Sequence, residues 1–140
     1  MEAPEVVLLF DGQCGFCTRT ARWLRRVDRG GRVALVPFQQ PGAPERFGLT
    51  PEACAQAAWA ITPDGERHRG AAAILAALAV AQGWPWLLAL YRRIPLVRCL
   101  ADALYAGVAA HRGRLPGVRP YCEEHPSACG GATEGEETAA

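Results

Sequence analysis

Apolar residues run unbroken from Val6 to Phe10. A run this short, closed by Asp11-Gly12, predicts a strand covered on both faces. From Gly15 the period changes. Phe16, Thr20, Trp23, Leu24 and Val27 share one helical face, while Arg19, Arg22, Arg26 and Arg29 line another as a solvated stripe. Gly30-Gly31 supplies a stop. Val33 to Phe38 repeats the buried-strand pattern, so strand, helix and strand make a parallel, right-handed βαβ unit. Pro41 to Leu49 reads as a loop. Thr50 then caps a short helix to Gln56, with Pro51 at its first position. Ala57 to Thr62 and Glu66 to Arg69 read as a hairpin around the Pro63-Asp64-Gly65 turn.

The second half of the chain is helical in pattern. Gly70 precedes a helix to Gln82, Trp84 to Arg93 makes a shorter one, and Pro95 opens a third. That third helix carries Val97, Leu100, Leu104 and Val108 on one face and ends near Arg112-Gly113. Ala71 to Tyr91 approaches the roughly 20 residues of a membrane span. Gln82, Gly83 and Pro85 interrupt it, and much of it is weakly apolar alanine, so two core helices are expected and no membrane association. Trp84-Pro85-Trp86 is expected as buried aromatics joining them. The chain beyond Arg112 reads as irregular. The order of elements is that of an α/β fold with a thioredoxin-like βαβ-α-ββα core and additional C-terminal helices.

Composition narrows the function more than the fold. The 140 residues suit one domain, residues 1–122, followed by an acidic, flexible tail, 123–140. Glu123, Glu124, Glu134, Glu136 and Glu137 fall in that tail, and the body before it is mildly basic. All 15 Lys+Arg residues are arginine, and the net charge is +1. That balance gives no support to nucleic-acid binding by bulk electrostatics. Met1 to Phe10 has neither the basic start nor the long apolar stretch of a secretory signal. The cytoplasm is therefore expected, where lasting structural disulfides are rare. The six cysteines need another explanation.

Cys14 and Cys17 stand between the first strand and the first helix, in Asp11-Gly12-Gln13-Cys14-Gly15-Phe16-Cys17. Residues three apart on a helix have Cβ atoms about 5–6 Å from each other. A disulfide spans Cα separations of roughly 4.4–6.8 Å, so this pair closes and opens with little backbone movement. Cys14 falls at the helix N-terminus, where free N–H groups favour a thiolate. Cys14 is thus the candidate nucleophile and Cys17 the resolving thiol of disulfide exchange. Asp11 either accepts the proton that Cys17 must lose or only organises the Asp-Gly turn. Half of a zinc site, or two inert buried thiols, are the alternatives for the pair, and a non-catalytic interaction module is the alternative for the protein.

The stretch Leu9-Phe10-Asp11-Gly12-Gln13-Cys14-Gly15-Phe16-Cys17 resembles the signature of the DCC family of thiol-disulfide oxidoreductases. The family's Asp and two Cys match Asp11, Cys14 and Cys17. The likeness continues through Val36-Pro37-Phe38-Gln39, Asp64-Gly65, Gly70-Ala71-Ala72-Ala73-Ile74, Tyr105 and His111-Arg112. It implies a thioredoxin-like fold and disulfide exchange with a protein or small-molecule disulfide, sustained by a reductant. No organic cofactor is implied, because the dithiol carries the electrons. Thioredoxins place a cis-proline before the third core strand, where it holds substrate backbone and keeps metal off the thiols. Gln56-Ala57-Ala58 stands there instead, which keeps zinc or iron-sulfur binding open as an alternative.

Four cysteines remain. Cys54 and Cys99 are expected as small core residues. Cys122, His125 and Cys129 offer three metal donors where structural zinc takes four; the alternatives are a reversible Cys122–Cys129 disulfide and no special role. Arg112 and Arg114 suit either a helix C-terminus or an anionic ligand.

Overall fold

The computed structural model describes residues 4–129, so the part of the expected tail from 130 onward lies outside the described residues. Strand β1 (Val6–Phe10) leads into helix α1 (Gly15–Val27) and strand β2 (Val33–Pro37). Two short helices, α2 (Ala43–Arg46) and α3 (Pro51–Gln56), precede the hairpin of β3 (Trp59–Ile61) and β4 (Arg67–Arg69). Helices α4 (Ala71–Gln82), α5 (Pro85–Arg93) and α6 (Pro95–His111) follow. A short α7 (Tyr121–Glu124) and a 3-10 turn (Pro126–Cys129) complete the described chain.

The sheet order is β2-β1-β3-β4. β1 runs parallel to β2, with Phe10 opposite Pro37, and antiparallel to β3, with Leu8 opposite Ala60. This is the thioredoxin-like α/β arrangement expected from the element order. The sheet lies between two apolar layers. On one side Val6, Leu8 and Ala60 meet Leu24 of α1 and the alanines Ala73, Ala76 and Ala77 of α4. On the other, Leu9 and Ile61 meet Ala43, Leu49 and Cys54. Cys54 is buried, as its apolar surroundings require. The alanines let α4 lie close to the sheet, because no long side chain intervenes.

Local chemistry sets the boundaries. Asp28, buried at the end of α1, accepts the backbone N–H groups of Arg32 and Val33 at 3.0 and 2.8 Å. It therefore turns the chain into β2. The Thr50 hydroxyl accepts the Ala53 N–H at 3.1 Å, the cap its residue type predicts. Gly83, with φ +71°, ends α4, and Pro85 opens α5. Among the described residues no helix is long and apolar enough to cross a membrane.

Some expectations are corrected. Pro41–Leu49 is not all loop: Gly42, at φ +78°, turns the chain, and the fixed φ of Pro44 supports the short α2. The inner face of α1 is Thr18, Ala21 and Leu24, and Trp23 is exposed. Trp84 and Trp86 stay exposed and stack on each other at 5.7 Å just after the left-handed Gly83 turn. Helix α6 is rotated from the expected face. Val97, Ala101, Tyr105 and Val108 turn inward, Leu104 lines the cavity beside them while 71% exposed, and Leu100 is 62% exposed. Cys99 lies on the side opposite that inner face and is exposed rather than in the core.

Candidate active site

The parallel pairing of β1 and β2 brings their C-terminal ends side by side, so the loop after β1 meets the residues after β2. Asp11 leaves the end of β1, and Gln39 sits just past β2. The Gln39 amide donates to Asp11 Oδ1 at 2.8 Å, and its carbonyl oxygen accepts the Gly12 N–H at 2.9 Å. Asp11 Oδ1 also accepts the Gln13 N–H at 3.0 Å. One amide side chain and one carboxylate thereby fix the turn that presents Cys14.

Cys14 is the N-cap residue of α1. Its backbone is extended (φ −102°, ψ 122°), and its Sγ accepts the Cys17 N–H at 3.2 Å. A sulfur in that position faces the free N–H groups of the first turn, which is where a helix stabilises negative charge. Thr18, almost fully buried, returns its hydroxyl to the Cys14 carbonyl at 2.9 Å and locks the turn from behind.

Cys17 is half-buried one turn further along. Arg112, from the residue after α6, donates from Nη1 to Cys17 Sγ at 3.4 Å. Its Nη2 pairs with Asp11 Oδ2 at 3.1 Å and donates to the Ala55 carbonyl at 3.2 Å. Burial pushes the Cys17 thiol up to about 12, with further increases from the hydrogen bond and charge of Cys14. The Arg112 guanidinium pulls in the opposite direction. Burial also works against the charge of Arg112, but Cys17 and Asp11 together hold its pKa raised. The two thiols therefore face different environments. Cys14 faces the helix N-terminus, and Cys17 faces a desolvated pocket wall with one cation.

That wall belongs to a cavity of about 330 Å³ between α1, the segment before β3 and the inner face of α6. Phe16, Ile74, Leu75 and Val108 make it apolar, and Cys17 and Arg112 reach its edge. The segment Gln56-Ala57-Ala58 lines it too. The Ala58 N–H is held by the Tyr105 hydroxyl at 2.8 Å, and the described residues contain no cis peptide bond.

The chain after α6 crosses over this loop. Val118 N–H donates to the Gly15 carbonyl at 3.2 Å, and Cys122 N–H to the Gly12 carbonyl at 2.9 Å. Contact is so close that a Cβ on Gly117 would lie 2.4 Å from the Gly15 carbonyl carbon. Arg22 of the exposed arginine stripe pairs with Glu124, and the Tyr121 N–H donates to Thr18 Oγ1 at 3.0 Å.

Cys122 and Cys129 are joined in a disulfide, while Cys14 and Cys17 are free thiols. The disulfide removes both cysteines of the Cys122, His125 and Cys129 trio as thiolate donors, and His125 packs on the Tyr121 ring at 4.5 Å. Among the described residues no group of three His, Cys, Asp or Glu side chains is placed to hold a metal ion.

The structure thus brings Asp11, Cys14 and Cys17 together. A family model for DCC1-like thiol-disulfide oxidoreductases matches residues 8–118. The chain belongs to that family. Comparison with curated proteins and with solved structures returns no match. The match spans every group described above from Asp11 to Arg112, and stops before Cys122 and Cys129.

Two parts of the site lie beyond the sequence reading. Gln39 was legible in principle, since a polar residue just past β2 must neighbour a polar residue just past a parallel β1. Arg112 was read as a helix end or an anion contact. Its spacing of seven from Tyr105 puts both on one helix face, the signal that both turn inward.

Proposed function

We propose that this DCC1-like family member is a thiol-disulfide oxidoreductase in which Cys14 attacks and Cys17 resolves. In the first step Cys14 Sγ, as thiolate, attacks one sulfur of a substrate disulfide. A mixed disulfide forms and the other substrate sulfur leaves as thiolate. In the second step the Cys17 thiolate attacks Cys14 Sγ. The Cys14–Cys17 disulfide forms, and the second substrate sulfur leaves and takes up a proton. An external reductant restores the dithiol.

The observation that carries this reading is the opposed set of influences on Cys17. While Cys14 is free, its hydrogen bond and charge help keep Cys17 protonated. Once Cys14 is in a mixed disulfide its negative charge is gone, and the Arg112 guanidinium at 3.4 Å remains. Cys17 therefore loses its proton more readily after the first step than before it. Asp11 acts as a positioning residue: both its oxygens are engaged, by Arg112, Gln39 and Gln13, and Arg112 stands between it and Cys17. The apolar cavity beside Cys17 suits a substrate with an apolar group next to its disulfide. The cytosol is the proposed compartment.

A redox titration of the Cys14–Cys17 pair, with mass detection of alkylated thiols, tests the reading. A reversible two-electron transition at about −220 to −320 mV, the range of the glutathione pool, is expected. A Cys14 thiol that never pairs with Cys17 under oxidant would sink it.

A further inference from the structure

A disulfide lies against the reactive loop, and the disulfide-exchange reading above does not use it. A Cβ built on Gly12 would fall 2.6 Å from Cys122 Sγ, so this position admits glycine alone while that sulfur is in place. The Cys122 N–H donates to the Gly12 carbonyl at 2.9 Å, which sets the register of the two segments. Cys122 Sγ also lies 3.9 Å from the Gln39 side-chain oxygen, the atom that holds the Gly12 N–H. Cys14 is two residues on from Gly12, at most about 7 Å of backbone away. The Val118–Gly15 and Tyr121–Thr18 hydrogen bonds clip the crossing segment to α1 just before this contact.

We propose that Cys122 and Cys129 form a second redox pair that exchanges electrons with Cys14 and Cys17 inside one chain. The proposal rests on the oxidoreductase reading of Cys14 and Cys17. Cys14 thiolate attacks Cys122 Sγ, the Cys122–Cys129 bond breaks, and Cys129 leaves as thiolate. Cys17 thiolate then attacks Cys14 Sγ, and Cys122 leaves as thiolate. The Cys14–Cys17 dithiol is oxidised by two electrons, and the Cys122–Cys129 disulfide is reduced by the same two. The two protons of the first dithiol pass through solvent to the two released thiolates. Run in reverse, the same steps return the oxidising equivalent to Cys14–Cys17. The pair stands where electrons can leave the active loop without a second protein reaching Cys14.

The test traps the intermediate. Full-length Cys17→Ser protein, fully reduced, receives one equivalent of a two-electron thiol oxidant per chain. It is then quenched with an alkylating agent and mapped by peptide mass. Without the resolving thiol, an intramolecular Cys14–Cys122 disulfide is expected in roughly a tenth of chains or more. In wild type the same treatment should yield both the Cys14–Cys17 and the Cys122–Cys129 disulfides. Cys17→Ala serves as the second variant, keeping a small apolar group at the half-buried position should serine disturb folding. If Cys14 stays fully alkylated beside an intact Cys122–Cys129 bond in both variants, the relay is overturned. Crosslinks found only between chains overturn it as well, and a Cys14–Cys129 disulfide overturns the choice of Cys122 as the attacked sulfur. Wild-type Cys14–Cys17 that still titrates reversibly leaves the oxidoreductase reading standing in each of those cases. Failure of that titration instead removes the reading beneath the relay.

Discussion

At the residue scale the site depends on one cation between a carboxylate and a thiol. Arg112 contacts Cys17 Sγ and Asp11 Oδ2 through different nitrogens, so its position is fixed whether or not Cys17 is charged. Arg112→Ala removes an influence that lowers the Cys17 pKa. Each unit by which that pKa rises lowers the thiolate fraction at neutral pH about tenfold. Release of the second substrate thiolate should slow about tenfold or more, while the attack by Cys14 is less affected. Acid quenching and mass detection during turnover of a small disulfide would show the mixed disulfide accumulating. Arg112→Lys, a single point charge without the planar fork, should recover part of the rate. The pH profile carries the same sign. Resolution in wild type should keep rising with pH through the alkaline range as Cys17 ionises, and should be slower at each pH in Arg112→Ala. Equal profiles for the two proteins would show that the guanidinium does not act on the thiol. The sequence made Asp11, Cys14 and Cys17 legible because their spacing is local. Arg112 lies 95 residues from Cys17, and its contact with the thiol depends on how α6 is rotated, which no local pattern states.

At the scale of elements, that rotation is where sequence reading and structure part. The leucines of α6 suggested an apolar face at Val97, Leu100, Leu104 and Val108, yet Tyr105 decides the matter. Its hydroxyl holds the Ala58 N–H, a backbone donor before β3 that the sheet does not satisfy. A polar anchor of this kind helps to fix the rotation of the helix, and a buried donor left unpaired costs about 1–3 kcal/mol. Tyr105→Phe should therefore lower stability by about 1 kcal/mol in denaturant unfolding and loosen the wall of the cavity. The β3–β4 hairpin makes a separate prediction. His68 is buried on β4, and burial lowers its pKa from 6.5, against the pull of Glu66. The unfolded chain then binds a proton that the folded one resists. Stability is present above pH 6.5 and falls as pH drops below it. The denaturation midpoint of wild type should fall between about pH 7.5 and about pH 5.5, and fall less in His68→Gln. A midpoint equally pH-dependent in both proteins would mean that His68 is not the group responsible.

For the whole molecule, the buried apolar layers and the exposed apolar surface lie in different parts of the chain. The strands, α1 and α4 were legible because they form one core, where the period of apolar residues reflects burial directly. From α5 onward the chain carries Trp86, Leu96, Leu100 and Leu104, each more than half exposed. There the apolar pattern no longer reports which side faces inward, and the helix boundaries were found more easily than the helix orientations. This difference has a measurable consequence. Leu24 is 0% exposed between β1 and α4, so Leu24→Ala leaves a cavity in close-packed surroundings. A loss of about 2–5 kcal/mol is expected. Leu104 is 71% exposed and only lines the open cavity, so Leu104→Ser removes little contact within the chain. Its effect should stay within about 0.5 kcal/mol. Paired denaturant titrations of the two variants at low protein concentration measure both values. Comparable losses would place Leu104 against an apolar partner in solution, and would mean that the α6 surface is covered under the conditions measured.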